Sequence, residues 1–111
     1  MNISKKFQAS IPYHGLLIER LKDPKACVGY LNAVLNEGNE DAFLVALHDV
    51  AQAQGGIAKV ARQTRIHRVT LHRIMSKKGN PRLHNLANIL HSFGLKFAVV
   101  PGQVPMMKHA A

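Results

Sequence analysis

No acidic residue follows Asp49 in this 111-residue chain. From residue 50 onward the sequence holds ten Lys/Arg (59, 62, 65, 68, 73, 77, 78, 82, 96 and 108), against five Lys/Arg and six Asp/Glu before it. The net charge of +9 therefore resides in the C-terminal half. A single cysteine, Cys27, excludes an intrachain disulfide. Trp is absent and only 5% of residues are aromatic. No apolar run approaches the roughly 18–20 residues that a membrane span needs. The opening MNISKKFQASIPYHG has basic residues but no apolar stretch after them, so it does not read as a signal peptide. These absences point to a cytoplasmic protein with no membrane partner.

What is present is a globular composition, 47% hydrophobic, in a length suited to one domain. A surface that is basic and free of acids suits a polyanion, of which nucleic acid is the commonest in a cell. Helix signals dominate. Asp23-Pro24 starts a helix, since Asp caps free amides and Pro fits the first turn. Cys27, Tyr30, Leu31, Val34 and Leu35 then recur at helical period, and Gly38 ends the run. In that stripe Cys27 reads as a packed side chain rather than a nucleophile. Asn39 caps the next helix, whose stripe is Phe43, Leu47, Val50 and Ala51, and Gly55-Gly56 breaks it. Two short helices follow at about 57–63 and 68–76. A loop at 77–81 leads to a helix at 83–92 with Leu83, Leu86, Ile89, Leu90 and Phe93 facing inward. Residues 95–100 are rich in β-formers and read as one short strand. Residues 13–22 read as a short amphipathic helix, and residues 1–12 and 101–111 as frayed ends.

The segment GIAKVARQTRIHRVTLHRIMS, Gly56 to Ser76, carries the pattern of a helix-turn-helix. Ala61 is the small residue where two helices meet. Ile57 and Val60 face inward from the first helix, Ile66 fills the turn, and Leu71 and Ile74 face inward from the second. The residues left outside on the second helix are His67, Arg68, Val69, Thr70, His72 and Arg73, the positions from which base edges are read. Arg68 suits guanine O6/N7, and Val69 or Thr70 a thymine methyl. Lys59, Arg62, Arg65, Lys77, Lys78 and Arg82 suit phosphates, with the amides of Gly56 and Ile57 at a helix start. No zinc set emerges from the histidines: His67 and His72 are five apart, and His84 and His91 share a face with no Cys or carboxylate near them in sequence. Neither a phosphate loop nor a convincing catalytic set is present, so no cofactor and no enzyme activity are expected.

GNPRLHNLANILHSFGLKFAV resembles the end of an Xre/Cro-like helix-turn-helix domain. With LLIERLKDPKACVGYLNAVLNEGNEDAFLVALHDVAQAQGGIAKVARQT, the likeness extends over residues 13–101 to the HigA-like addiction-module antidote proteins. Leu21-Lys22-Asp23-Pro24, Tyr30-Leu31, Gln54-Gly55-Gly56 and Gly79-Asn80-Pro81 are its more specific parts. The resemblance implies an all-α fold. Residues 1–22 would be an N-terminal, partly helical extension, residues 23–100 a five-helix domain ending in the short strand, and residues 101–111 a tail. It implies an antitoxin of a type II toxin–antitoxin system, which binds operator DNA as a homodimer, represses its own operon and neutralises a RelE/ParE-type toxin. The alternative is a stand-alone Xre-type regulator without a toxin. The strand at 95–100, with Leu95, Phe97 and Val99, is the expected dimer contact, two copies pairing edge to edge. Only Glu19, Asp23, Glu37, Glu40, Asp41 and Asp49 are available to a basic toxin.

Three positions depart from the family pattern. Arg65 stands where a turn glycine is usual, so strain is expected there. His67 and Arg82 replace the usual helix-capping hydroxyl or amide residues, which should weaken both helix starts by about 0.5–2 kcal/mol.

Overall fold

Asp23, Asn39 and the glycines divide the chain into helices as their chemistry requires. The computed structural model describes residues 13–76 and 78–102. It contains six helices among them: α1 Tyr13–Arg20, α2 Pro24–Asn36, α3 Glu40–Ala53, α4 Ile57–Thr64, α5 Arg68–Ile74 and α6 Leu83–Ser92. The Asp23 carboxylate accepts the Lys25 amide at 3.1 Å, and Pro24 occupies the first turn. The Asn39 side chain accepts the Ala42 amide at 3.0 Å. Both caps satisfy amides that a helix start otherwise leaves unpaired. The frayed ends expected at 1–12 and 101–111 lie outside the described residues, apart from Pro101 and Gly102.

α3 is the hub. It buries Phe43, Leu44, Ala46, Leu47, Val50 and Ala51, and α1, α2 and α4 all pack on it. The apolar stripe of α4 and α5 completes the core, with Val60, Leu71 and Ile74 buried and Ile57, Ala61 and Ile66 half-buried against them. α6 adds Ile89 and Leu90. Cys27 is buried and donates its thiol hydrogen bond to the Leu21 carbonyl at 3.0 Å. Burial pushes this thiol up, which suits a packing role. Gln54 serves as a clasp here: its Nε2 donates to the same Leu21 carbonyl at 2.9 Å, tying the end of α3 to the turn before α2.

Three expectations need correction. Leu35 is not in the α2 stripe but 46% exposed, and Leu83 is 71% exposed at the first turn of α6. Both sit at helix ends, Leu35 in the last turn of α2 and Leu83 at the start of α6. The strand expected at 95–100 is not formed: no strand occurs among the described residues. A lone segment has no neighbour to exchange backbone hydrogen bonds with. Leu95 remains half-buried, whereas Phe97 is exposed and Val99 fully so.

Asp49 is buried at 7% exposure. It accepts a 2.8 Å hydrogen bond from the Tyr30 hydroxyl across the α2–α3 hairpin. Burial, then this bond, raises the Tyr30 phenol well above its ordinary value. Asp49 is therefore an internal acceptor and not part of the acidic surface the sequence suggested.

Candidate nucleic-acid interface

α4 and α5 are short, eight and seven residues, and neither would be stable alone. Their inward stripes hold them, and the corner between them fixes their angle. Arg65 occupies that corner at φ 64°, ψ 25°, the left-handed region. The turn keeps the winding a glycine would give, so the expected strain is present, at about 1–2 kcal/mol. Its amide still donates to the Ala61 carbonyl at 2.8 Å. Buried Thr64 braces the corner: its hydroxyl donates to the Val60 carbonyl at 2.7 Å and accepts the Ile66 amide at 3.2 Å. Asn88 of α6 donates to the Thr64 carbonyl at 3.0 Å. Sequence reading missed Thr64 and Asn88, because bonds from polar side chains to backbone leave no mark on apolar periodicity.

The expected loss of the α5 cap is corrected. His67 Nδ1 accepts the Val69 amide at 3.1 Å, so the imidazole itself caps the helix. This bond requires the proton on Nε2. Arg82 behaves as expected, with no side-chain cap bond at the start of α6.

α5 stands between two concavities. One, of about 540 Å³, is lined by Ala61, Arg62, Arg65, Ile66, His67 and Arg68. The other, of about 350 Å³, includes Thr70, Arg73, Lys78, Asn80, Arg82 and Asn85 in its lining. The structure thus brings Arg62, Arg65 and Arg68 together on one side of α5, and Arg73, Lys78 and Arg82 on the other. Arg68, His72 and Arg73 are exposed, as is Val69 at 65%, while Thr70 is half-buried. Lys59 is exposed but lines neither concavity. Lys77 lies outside the described residues. Among the described residues the ion pairs are His14–Asp49 and Lys22–Glu19, so none of the described arginines and lysines around α5 is neutralised by them.

Gly56 is a further correction. Its amide donates to the Ala51 carbonyl at 2.9 Å and is not free for a phosphate. Ile57 opens α4 without a side-chain cap. Gly79 holds the second concavity by absence: a Cβ there would collide with the Ile74 carbonyl oxygen and lie 2.8 Å from that of Arg73.

The His48 ring of α3 meets the His72 ring of α5, centroids 5.8 Å apart and tilted by 43°. Burial first, and His72 second, hold the His48 imidazole below its ordinary value; Asp49 opposes and His14 adds to the lowering. A base whose folded pKa is depressed binds fewer protons than in the unfolded chain. Its contribution to stability is thus complete above the ordinary value near 6.5 and is lost as pH falls toward the folded one. Urea unfolding at pH 7.5 and pH 5 should show this loss in the wild type and a smaller one in His48→Gln. An equal loss in both would remove His48 as its source.

A family model described as "Probable addiction module antidote protein" matches residues 16–101. An uncharacterized protein of Haemophilus influenzae is 34% identical over 70 residues, covering 63% of this chain and 71% of that protein. No solved structure matches the chain.

Proposed function

The chain belongs to the probable addiction module antidote protein family, and from that premise we propose that it binds operator DNA as a homodimer, represses its own operon and neutralises a RelE/ParE-type toxin. The antidote family itself implies a toxin partner; DNA binding and dimerisation are our additions. One observation carries the DNA part: a short, outward-facing helix flanked on both sides by unpaired cations, in a half with no carboxylate. A recognition helix lies in the major groove with a phosphate backbone on either side. His67, Arg68, Val69, Thr70, His72 and Arg73 would meet base edges. Ile57, Lys59, Arg62, Arg65, Lys77, Lys78 and Arg82 would meet phosphates. Residues 95–100 would become a strand on meeting the same segment of a second copy, through Leu95, Phe97 and Val99. The two α5 helices would then sit about 34 Å apart, one turn of DNA. No helix among the described residues is long and apolar enough to cross a membrane.

Retardation of the chain's own promoter fragment, titrated with salt, tests this. Log K is expected to fall against log salt by about 0.9 per neutralised phosphate. A flat salt dependence would exclude the two basic concavities as phosphate sites.

A further inference from the structure

The outer face of the α2–α3 hairpin is unlike a solvated surface. α2 carries no charged side chain from Ala26 to Asn36. Amphipathic surface helices ordinarily present charge to solvent. Here Val28 and Leu35, seven residues apart and so on one side of the helix, are 44% and 46% exposed, and Val45 of α3 is 40% exposed. The Tyr30–Asp49 hydrogen bond sets the level of the two helices. Leu35 lies five residues from Tyr30 and Val45 four from Asp49, both toward the turn. These separations rise roughly 7 and 6 Å, so the two aliphatics share the turn end. Three carboxylates surround that end in sequence, Glu37 in the turn and Glu40 and Asp41 in the first turn of α3. All three are exposed, and none is in an ion pair among the described residues. Glu40 and Asp41 favour the α3 dipole, which explains their presence at a helix start but not the exposed aliphatics beside them.

We propose that this face docks the toxin, as a protein whose contacting surface is basic with an apolar centre. The inference rests on the antidote reading above and adds to it the place of contact. Charge selects the occupant. Three uncompensated carboxylates repel nucleic acid and attract a cationic protein, and they raise its association rate. Exposed aliphatics bordered by charge at one end match the apolar centre and polar rim of a protein interface. α2 packs chiefly on α3, whereas α5 packs chiefly on α4, so toxin and DNA engage different elements and can be held together.

The full-length chain and the product of the adjoining toxin gene provide the test, with affinity measured by calorimetry. Leu35→Arg and Val28→Arg alter exposed positions, so folding is retained; circular dichroism and promoter retardation report it. Each is expected to weaken toxin binding by about tenfold or more while leaving DNA retardation unchanged. Reversal of Glu37, Glu40 and Asp41 to Lys is expected to slow association and flatten its salt dependence. Leu16→Arg, on α1 and similarly exposed at 42%, should have no effect. Undiminished toxin binding in Leu35→Arg and Val28→Arg, or a loss confined to Leu16→Arg, overturns the docking face while sparing the antidote reading. A wild-type chain that does not bind the toxin overturns both. If Leu35→Arg dissolves a dimer and leaves toxin affinity intact, the face belongs to a second copy and the proposal fails.

Discussion

Arg68→Ala combined with Arg73→Ala should abolish specific retardation of operator DNA. Both side chains are exposed, so the substitutions remove no core contact. A bidentate arginine–guanine contact contributes about 1–3 kcal/mol of discrimination. Two such contacts sum to about 2–6 kcal/mol, comparable with the roughly 4–10 kcal/mol that separates specific from non-specific binding. What remains in the double variant is salt-dependent binding without sequence preference. Competition with unrelated DNA measures this directly: wild-type complexes survive an excess of competitor and variant complexes do not. The single variants divide the roles, because Arg73 also lines a concavity with Lys78 and Arg82. A loss confined to one base pair identifies a base contact. A uniform loss across operator variants identifies a phosphate contact. Unchanged specificity in the double variant would move the reading surface away from α5.

Leu71→Ala is expected to cost about 2–5 kcal/mol of stability. Leu71 is fully buried beneath a helix of seven residues. A domain of this kind holds about 5–15 kcal/mol in total, so the variant forfeits a large share. A helix this short has no stability of its own to compensate, and only Leu71 and Ile74 are buried on it. Urea denaturation gives the change in stability, and retardation should fall in step with the folded fraction. A cost below about 1 kcal/mol, the range of a tolerated surface change, would mean that α5 is held by something other than its inward stripe.

The helices were largely legible because their signals are local. Asp23-Pro24 and Asn39 mark helix starts whatever the rest of the chain does. The apolar spacing from Ile57 to Ile74 fits two short helices crossing around a tight turn. Other features depended on tertiary neighbours that periodicity does not contain. Leu35 and Leu83 match the helical spacing of their neighbours, yet both are exposed in the folded chain. Asp49 read as surface charge, and only the fold brings Tyr30 to it. His67 looked like a lost cap until the ring nitrogen was placed against Val69. Gly56 looked like a free amide because its acceptor, Ala51, belongs to the preceding helix. Residues 95–100 have β-forming side chains, yet that preference describes fit to a pleated surface and supplies no second strand. In the interface, the outward positions of α5 followed from helical period. The division of cations into two concavities did not, because it depends on the loop at Gly79 and the start of α6.

The corner at Thr64–Ile66 has a consequence for association. A long cationic side chain on a loose turn would surrender backbone as well as rotamer freedom on meeting DNA. Arg65 has surrendered the backbone part during folding, held by the Ala61 carbonyl on its own amide and by Thr64 and Asn88 around it. The local strain is thus coupled to preorganisation: the ordering cost falls on the folding equilibrium, and less of it is left to subtract from the affinity of the complex.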